Sequence, residues 1–143
     1  MFEPSEEKSR KAHELITRAF GKQIKDTTPY TVAYAYYIKS GIFGQKSSSY
    51  VIGFSPALGE IIVIPVNSDI DEAGSAVSLK KSDIISAKFG LQGDLKIKSG
   101  KLKEELRFVV PPYTPTTLES AYILPINQHE EAAAFKHFVK DTF

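Results

Sequence analysis

The sequence contains no cysteine, although the chain is 143 residues long. This absence excludes disulfide bonds, zinc sites built on thiolates and catalysis by a cysteine nucleophile, and it is compatible with a reducing compartment. The length suits one domain, which buries roughly 68% of the surface of its unfolded chain. The chain therefore needs no cross-link to form a core, and we expect a single domain over residues 1–143.

Long apolar runs are also missing. No stretch approaches the ~20 consecutive apolar residues that cross a bilayer, and the start of the chain, Met1–Glu7, is acidic and polar, unlike a secretory signal. We therefore expect a cytoplasmic protein.

The chain has almost no net charge, because 18 Lys and Arg face 17 Asp and Glu and leave a total of +1. This balance argues against a dedicated nucleic-acid binder, so we predict no nucleic-acid partner. The charges are unevenly spread, however. Residues 77–110 carry eight basic and four acidic residues, whereas residues 26–76 carry two basic and five acidic residues. The difference predicts one basic face.

No motif in the sequence supports a catalytic residue, a metal ion or a cofactor. Gly41–Ser47 lacks the glycine spacing of a phosphate loop, and Asn67–Glu72 has a glutamate where a calcium loop requires glycine. His129 and His137 are eight residues apart, about 12 Å along a helix, which is too far to share one ion. We predict no catalytic site, no metal site, no cofactor and no enzymatic activity.

An amphipathic helix is predicted at each end of the chain. Ser5 and the acidic residues after it fit a helix N-terminus, and apolar residues at helical spacing continue the helix over residues 5–20. Asn127, followed by Glu130 at the third helical position, predicts the start of a closing helix over residues 127–142.

The middle of the chain, residues 28–126, is predicted to form antiparallel strands. Residues 30–38 place aromatic and large aliphatic side chains on one face and small ones on the other, and residues 61–64 are apolar on both faces. Residues 121–126 are predicted to form a last, short edge strand. Residues 83–110 form three strands, whose dry face is predicted to hold Ile85, Ala87, Phe89, Leu95, Ile97, Leu106, Phe108 and Val110.

This order of one helix, seven strands and one helix defines an α+β fold that resembles the pleckstrin-homology superfold over residues 28–142. The stretch from residue 79 to residue 100 is similar to the bacterial PH-like and GRAM-like branch, in which a phrase of leucine, polar residues, an acid, two isoleucines, serine and lysine precedes a hairpin. Here that phrase is Leu79, Lys81, Asp83, Ile84, Ile85, Ser86 and Lys88.

The resemblance implies two nearly orthogonal sheets that form a half-open barrel or sandwich, with the C-terminal helix filling one open corner. Members of the superfold bind phosphoinositides, peptides or protein partners. In lipid-binding members, the loop between the first two strands carries a lysine, further basic residues and then an aromatic residue. Lys39, Lys46 and Tyr50 match this pattern, but residues 47–49 are serines where further basic residues would stand.

We therefore predict a non-enzymatic, PH-like binding module that contacts a protein partner and, more weakly, anionic lipid. Its predicted contact surface combines the loop 39–50 with the cationic strand face and comprises Lys39, Lys46, Tyr50, Lys88, Lys96, Lys98, Lys101, Lys103 and Arg107.

Three other interpretations of these features stay open. The lysines could only keep a strand face solvated and hinder edge-to-edge aggregation. The domain could instead bind a small ligand or act as an enzyme, using a pocket lined by Tyr30, Tyr34, Tyr36 and Tyr37. It could also be a self-associating structural protein that forms homo-oligomers through its first helix.

Overall fold

The computed structural model describes residues 3–42, 44–121 and 123–143. Phe43 of the predicted loop and Tyr122 of the predicted last strand lie outside these residues, as do Met1 and Phe2. The helices and strands are α1 (Glu6–Gln23), β1 (Thr31–Gly41), β2 (Gly44–Ser55), β3 (Glu60–Val66), β4 (Val77–Lys80), β5 (Ile84–Phe89), β6 (Leu95–Ser99), β7 (Leu106–Phe108) and α2 (His129–Thr142).

The strands form two antiparallel sheets, one of order β1-β2-β3-β4 and one of order β5-β6-β7. The sheets meet at one corner, where the N–H of Tyr36 donates to the carbonyl of Val109 at 3.0 Å and the N–H of Val109 donates back at 2.7 Å. At the other corner a short 3₁₀ turn, Lys81–Asp83, leads from β4 into β5. The predicted α+β class with seven strands is confirmed, and the barrel is not closed.

One predicted strand is wrong and another was missed. Val77–Lys80 forms a strand, whereas Thr116–Ala121 forms a 3₁₀ helix and the described residues 123–126 are not in a strand. This segment instead packs through Thr114, whose hydroxyl donates to the carbonyl of Leu124 at 2.6 Å and accepts from the N–H of Ile126 at 2.8 Å. Prolines before and within this stretch lack the N–H that a sheet ladder requires.

The four-stranded sheet separates two cores. Its inner face packs against the second sheet and α2, through residues such as Ala33, Ile61 and Val63. Its outer face packs under α1, through residues such as Tyr34 and Ile62. The predicted alternation in residues 30–38 is therefore confirmed, and the apolar residues on the two faces of residues 61–64 are each buried in one of the cores.

Helix α1 lies close to the sheet because β2 has a glycine beneath it. A Cβ atom on Gly53 would lie 2.3 Å from the ring of Phe20, which is completely buried. The helix begins after Ser5, whose hydroxyl accepts from the N–H of Lys8 at 3.2 Å, and it ends at Gln23, beyond the predicted end. The apolar stripe of α1 is buried in the chain's own core. It is therefore not available for contact with a second copy, and self-association through this helix stays a prediction.

Helix α2 begins at His129 rather than at the predicted Asn127. The N-cap residue is Gln128, which makes no capping bond with its side chain. Asn127 is used elsewhere: its carbonyl accepts from Nε2 of His13 at 2.8 Å and its N–H donates to the hydroxyl of Ser9 at 2.9 Å. Asn127 therefore ties α1 to the start of α2 instead of capping the helix.

The prediction for the dry face of β5 is wrong in part. The pairing of β5 with β6 slips between Ile84 and Ser86, and such a bulge shifts the alternation before it, so that Ile84 rather than Ile85 points inward. Ile84 and Ala87 pack against the core, whereas Ile85 is 76% exposed. Phe89 lies on the predicted inner face, opposite the buried Leu95, but it is 38% exposed at the edge of the sheet. The predicted inward residues of β6 and β7 are confirmed, since Leu95, Ile97 and Phe108 are buried and Leu106 and Val110 are partly buried against the same core.

Phe135 on α2 offers a direct test of this packing. It is 2% exposed, and its ring centroid lies 5.4 Å from that of Phe54 and 6.0 Å from that of Phe108. Phe135→Ala should lower the free energy of unfolding by about 3–5 kcal/mol in urea denaturation, because it empties a well-packed site. The neighbouring exposed Lys136→Ala should change it by less than about 0.5 kcal/mol, and a loss below about 1 kcal/mol for Phe135→Ala would contradict this packing.

A pair of glycine variants tests how α1 docks. Gly53→Ala should lower the free energy of unfolding by about 1–3 kcal/mol, because the new methyl group overlaps the Phe20 ring. Gly21→Ala is the control: it lies in α1 with nothing within 4 Å of an added Cβ, so it should raise the free energy by about 0.5–1 kcal/mol. Equal effects of the two changes would show that α1 does not rest on Gly53.

Candidate binding surface

A row of cations crosses the outer face of the three-stranded sheet. Lys88 on β5 lies directly opposite Lys96 on β6, and Lys96 lies directly opposite Arg107 on β7. Side chains in such positions have Cβ atoms about 4.5–5.5 Å apart. We call these three residues the cationic row.

Arg107 is held in place at one end of this row. Its Nη1 donates to the hydroxyl of Tyr37 at 2.7 Å, and the guanidinium carbon lies 5.3 Å from the centroid of the Tyr37 ring. Its Nε lies 3.3 Å from a carboxylate oxygen of Asp94, and its Nη2 lies 3.7 Å from one of Glu105. The Tyr37 hydrogen bond, together with these charges, raises the pKa of Arg107. The same contacts hold the guanidinium in one orientation.

Two of the other predicted contact lysines are paired with acids. Nζ of Lys98 lies 3.8 Å from Glu105, and Nζ of Lys101 lies 3.1 Å from Asp83. A hydrogen bond from the N–H of Lys80, followed by the Lys101 side chain, lowers the pKa of Asp83. These lysines are therefore partly neutralised, whereas Lys103 is exposed in the loop before β7.

A second lysine pair stands near the tip of the β1–β2 hairpin. Lys39 lies directly opposite Lys46, and Ile42, at the turn between them, is almost fully exposed. Side chains two residues apart on a strand share a face, so Lys39 lies on the same face as Tyr37, whose hydroxyl contacts Arg107. Tyr37 therefore links the strand that carries Lys39 to Arg107, at one end of the cationic row.

Tyr50 and the serines before it contribute differently from the prediction. The Tyr50 ring is partly buried and its centroid lies 6.0 Å from that of Phe108, so it packs in the core between the sheets. Ser47–Ser49 line a depression of about 390 Å³ together with Tyr50 and residues 65–68. This described lining is uncharged, so the depression itself has no cation for an anionic ligand.

Two tyrosines of β1 belong to the core beneath α1: Tyr34 is buried there and Tyr36 is partly buried. Tyr34 is completely buried, and its hydroxyl bonds that of Ser49 at 2.7 Å and accepts from the N–H of Leu124 at 3.3 Å. Burial raises the pKa of both Tyr34 and Tyr36. Buried, hydrogen-bonded tyrosines of this kind stabilise a core rather than receive a ligand.

Tyr30, directly before β1, belongs to a cluster with Glu60 and Ser78. The Tyr30 hydroxyl donates to one carboxylate oxygen of Glu60, and the Ser78 hydroxyl donates to the other at 2.5 Å. Burial and the Glu60 carboxylate raise the pKa of Tyr30 to about 12. Burial also raises the pKa of Glu60, but the two hydrogen bonds and the charges of Lys80 and Lys101 outweigh it and leave that pKa low. Because these groups satisfy one another, we interpret the cluster as a clamp between β1, β3 and β4.

The described chain offers no metal site. Within residues 3–42, 44–121 and 123–143, no three His, Asp or Glu side chains lie close enough to hold an ion. His129, for example, bonds Glu3 through Nε2 at 2.8 Å. In the same part of the chain, neither α-helix is long and apolar enough to cross a membrane.

Comparison with known proteins identifies no relative. No protein-family model, no curated protein and no solved structure matches the chain.

The Tyr30 clamp predicts how stability depends on alkaline pH. The folded-state pKa of about 12 lies above the ordinary value of 10, so the unfolded chain loses this proton first. The stability from Tyr30 is therefore complete below pH 10 and is lost as the pH rises through 12. In urea denaturation from pH 9 to pH 12, Tyr30→Phe should show a shallower decline than wild type, while the control Tyr113→Phe should keep the wild-type slope. Identical slopes for wild type and Tyr30→Phe would rule out the clamp.

Proposed function

We propose that the chain is a non-enzymatic, PH-like binding module that recognises an acidic segment of a protein partner. The recognition surface is the cationic row together with the hairpin pair Lys39 and Lys46. Two antiparallel sheets with a closing C-terminal helix support the PH-like assignment, because that arrangement is what the resemblance implies.

The observation that carries this proposal is the direct opposition of lysines at two places. Lys88 faces Lys96, and Lys39 faces Lys46, and no carboxylate among the described side chains forms an ion pair with any of the four. Like charges directly opposite each other destabilise a sheet. The chain has a net charge of only +1, so these cations are concentrated here rather than spread by a general excess. An anionic ligand over each pair would remove the repulsion.

Arg107 supplies an anchor beside the row. Its side chain is 34% exposed and is already oriented by Tyr37 and Asp94. A fixed guanidinium binds carboxylates with two parallel hydrogen bonds and loses little conformational entropy on binding. Arginines and tyrosines of this kind are the residues that most often dominate the energy of protein interfaces.

The acids within the surface favour a protein over a membrane. Asp94 and Glu105 lie beside Arg107, where they would repel a continuous anionic bilayer. A protein segment can place single carboxylates over Lys88 and Lys96 and avoid these acids. We therefore propose a protein partner, and anionic lipid is the competing outcome of the test below.

Lys88→Glu separates a binding role from a solubilising one. The new glutamate would face Lys96 and replace a repulsive pair by an attractive one, so the free energy of unfolding should rise by about 0.2–1 kcal/mol. Binding to poly-glutamate, measured by fluorescence anisotropy at low salt, should nevertheless weaken about tenfold, because one cation is lost and one anion gained. Binding by wild type should also fall with added salt, since exposed charges are screened over about 8 Å at physiological ionic strength.

Lys25→Glu is the matched control, because it makes the same charge change at an exposed position just after α1, outside the cationic row and the hairpin pair. If Lys88→Glu and Lys25→Glu weaken binding equally, or if wild type does not bind poly-glutamate at low salt, the lysines only keep the face solvated. Wild type could instead bind phosphatidylserine vesicles more strongly than poly-glutamate and lose this vesicle binding in Lys88→Glu. That result would show that the ligand is a membrane.

A further inference from the structure

We propose that the partner binds as an extended strand that pairs with the open edge of β5 and places acidic side chains over the cationic row and apolar side chains beside Phe89. This inference rests on the proposed function, because it specifies the form of the acidic segment.

The open edge of β5 presents free backbone groups. β5 is the outermost strand of its sheet, and among the described strands it pairs only with β6. The N–H of Gly90 donates to the carbonyl of Asp94 at 2.7 Å, and hydrogen-bonded pairs alternate along an antiparallel ladder. The backbone of Lys88 is therefore hydrogen-bonded to that of Lys96. The backbone N–H and C=O groups of Ala87 and Phe89 then point away from β6. Among the described residues, no backbone group bonds them from that side.

Apolar side chains accumulate along this same edge. Ile85 is 76% exposed, Phe89 is 38% exposed and Leu91, in the following loop, is fully exposed. They are three of the five large hydrophobic residues that are exposed in the described chain; the others, Ile42 and Leu58, lie elsewhere. Soluble proteins usually protect such an edge with prolines, charges or a covering loop. β5 has no proline and one lysine, so the edge is well suited to pair with another strand.

The charges along the edge disfavour a second copy of the chain as the occupant. A two-fold pairing of β5 with itself would bring Lys88 of each copy onto one face, beside Lys96 of both. The Lys88–Lys96 pair of one copy would then lie beside the same pair of the other copy. The added repulsion between these like charges would destabilise the dimer.

A strand that alternates acidic and apolar residues fits both faces of this edge. Successive side chains of an added strand point to opposite faces. One set would lie on the outer face beside Lys88, where a carboxylate is attracted. The other set would lie on the inner face, which Phe89 shares with the core residue Ala87, where an apolar side chain is buried. Backbone bonds to Ala87 and Phe89 would supply affinity, and the alternation would supply specificity.

The first test uses peptides with capped termini that are slightly longer than the six residues of β5. One peptide alternates glutamate with valine, and a second has the same composition with all its glutamates in one block. We expect the alternating peptide to bind the full chain at least about tenfold more tightly in fluorescence anisotropy. N-methylation of every second residue in the alternating peptide gives two further probes, one for each edge of the peptide. One of them should lose binding and the other should keep it, because only one edge can pair with β5.

The second test changes the protein. Ala87→Pro removes an outward-pointing N–H without removing a bond to β6, a position where an edge strand tolerates proline. It should weaken binding of the alternating peptide about fivefold or more, because one hydrogen bond is lost. Binding of poly-glutamate should be unchanged. Ala87→Val adds similar bulk but keeps the N–H, so it should bind the peptide like wild type.

The outcomes separate this inference from the function on which it rests. If alternating and block peptides bind equally, or if both N-methylated forms keep binding, strand pairing is wrong even when Lys88→Glu abolishes binding and the cationic surface is retained. If Ala87→Pro and Ala87→Val bind the peptide equally well, the edge is not used. If neither acidic peptide nor poly-glutamate binds wild type at low salt, the proposed function fails together with the inference. Should Ala87→Pro fail to fold, the two N-methylated peptides alone decide.

Discussion

The architecture depends on the buried side-chain amide of Gln128, which is 1% exposed. Because Tyr36 pairs with Val109, continuing the same register places Tyr34 opposite Pro111, which has no N–H to donate. The Gln128 side chain takes over that pairing: its Oε1 accepts from the N–H of Tyr34 at 2.9 Å, and its Nε2 donates to the carbonyls of Tyr34 at 2.8 Å and Pro111 at 2.9 Å. One side chain therefore joins β1, the segment that follows β7 and the start of α2.

This junction also positions the candidate surface. The corner that Gln128 completes fixes β1 beside β7, and one residue beyond the Tyr36 bridge Tyr37 reaches Arg107. Without the corner, Tyr34 would leave a buried N–H and a buried C=O unpaired, a loss that typically exceeds the net value of the bonds themselves. The orientation of Arg107 on the outside thus depends on hydrogen bonds completed in the interior.

Much of the fold follows from periodicity, because the two cores impose alternation on the strands between them. Tyr34 and Ala35 face opposite cores, and both faces of residues 61–64 are apolar, so the sequence pattern suffices to orient β1 and β3. It does not suffice for β5, where Ile84 and Ile85 are adjacent and both apolar, so no pattern reveals which one points inward. Nor does it reveal that Lys88 faces Lys96, since alternation fixes the face of a strand but not its register with a neighbour.

The opposed lysines lie on strands, and this placement matters for what they can do. Lysines in a mobile loop can separate until their repulsion becomes small. Lys88 and Lys96 cannot move their backbones apart, because the ladder between β5 and β6 holds them opposite each other and buried Leu95 and Ile97 anchor β6 in the core. Their side chains can splay only by bending their flexible stems. The repulsion is therefore built into the folded state, and a ligand that relieves it binds a surface whose shape and charge already exist before the encounter. β5 combines this fixed charge with an edge that lacks a second neighbour, so the position where the sheet is least complete is also the position where an incoming acidic strand would gain most.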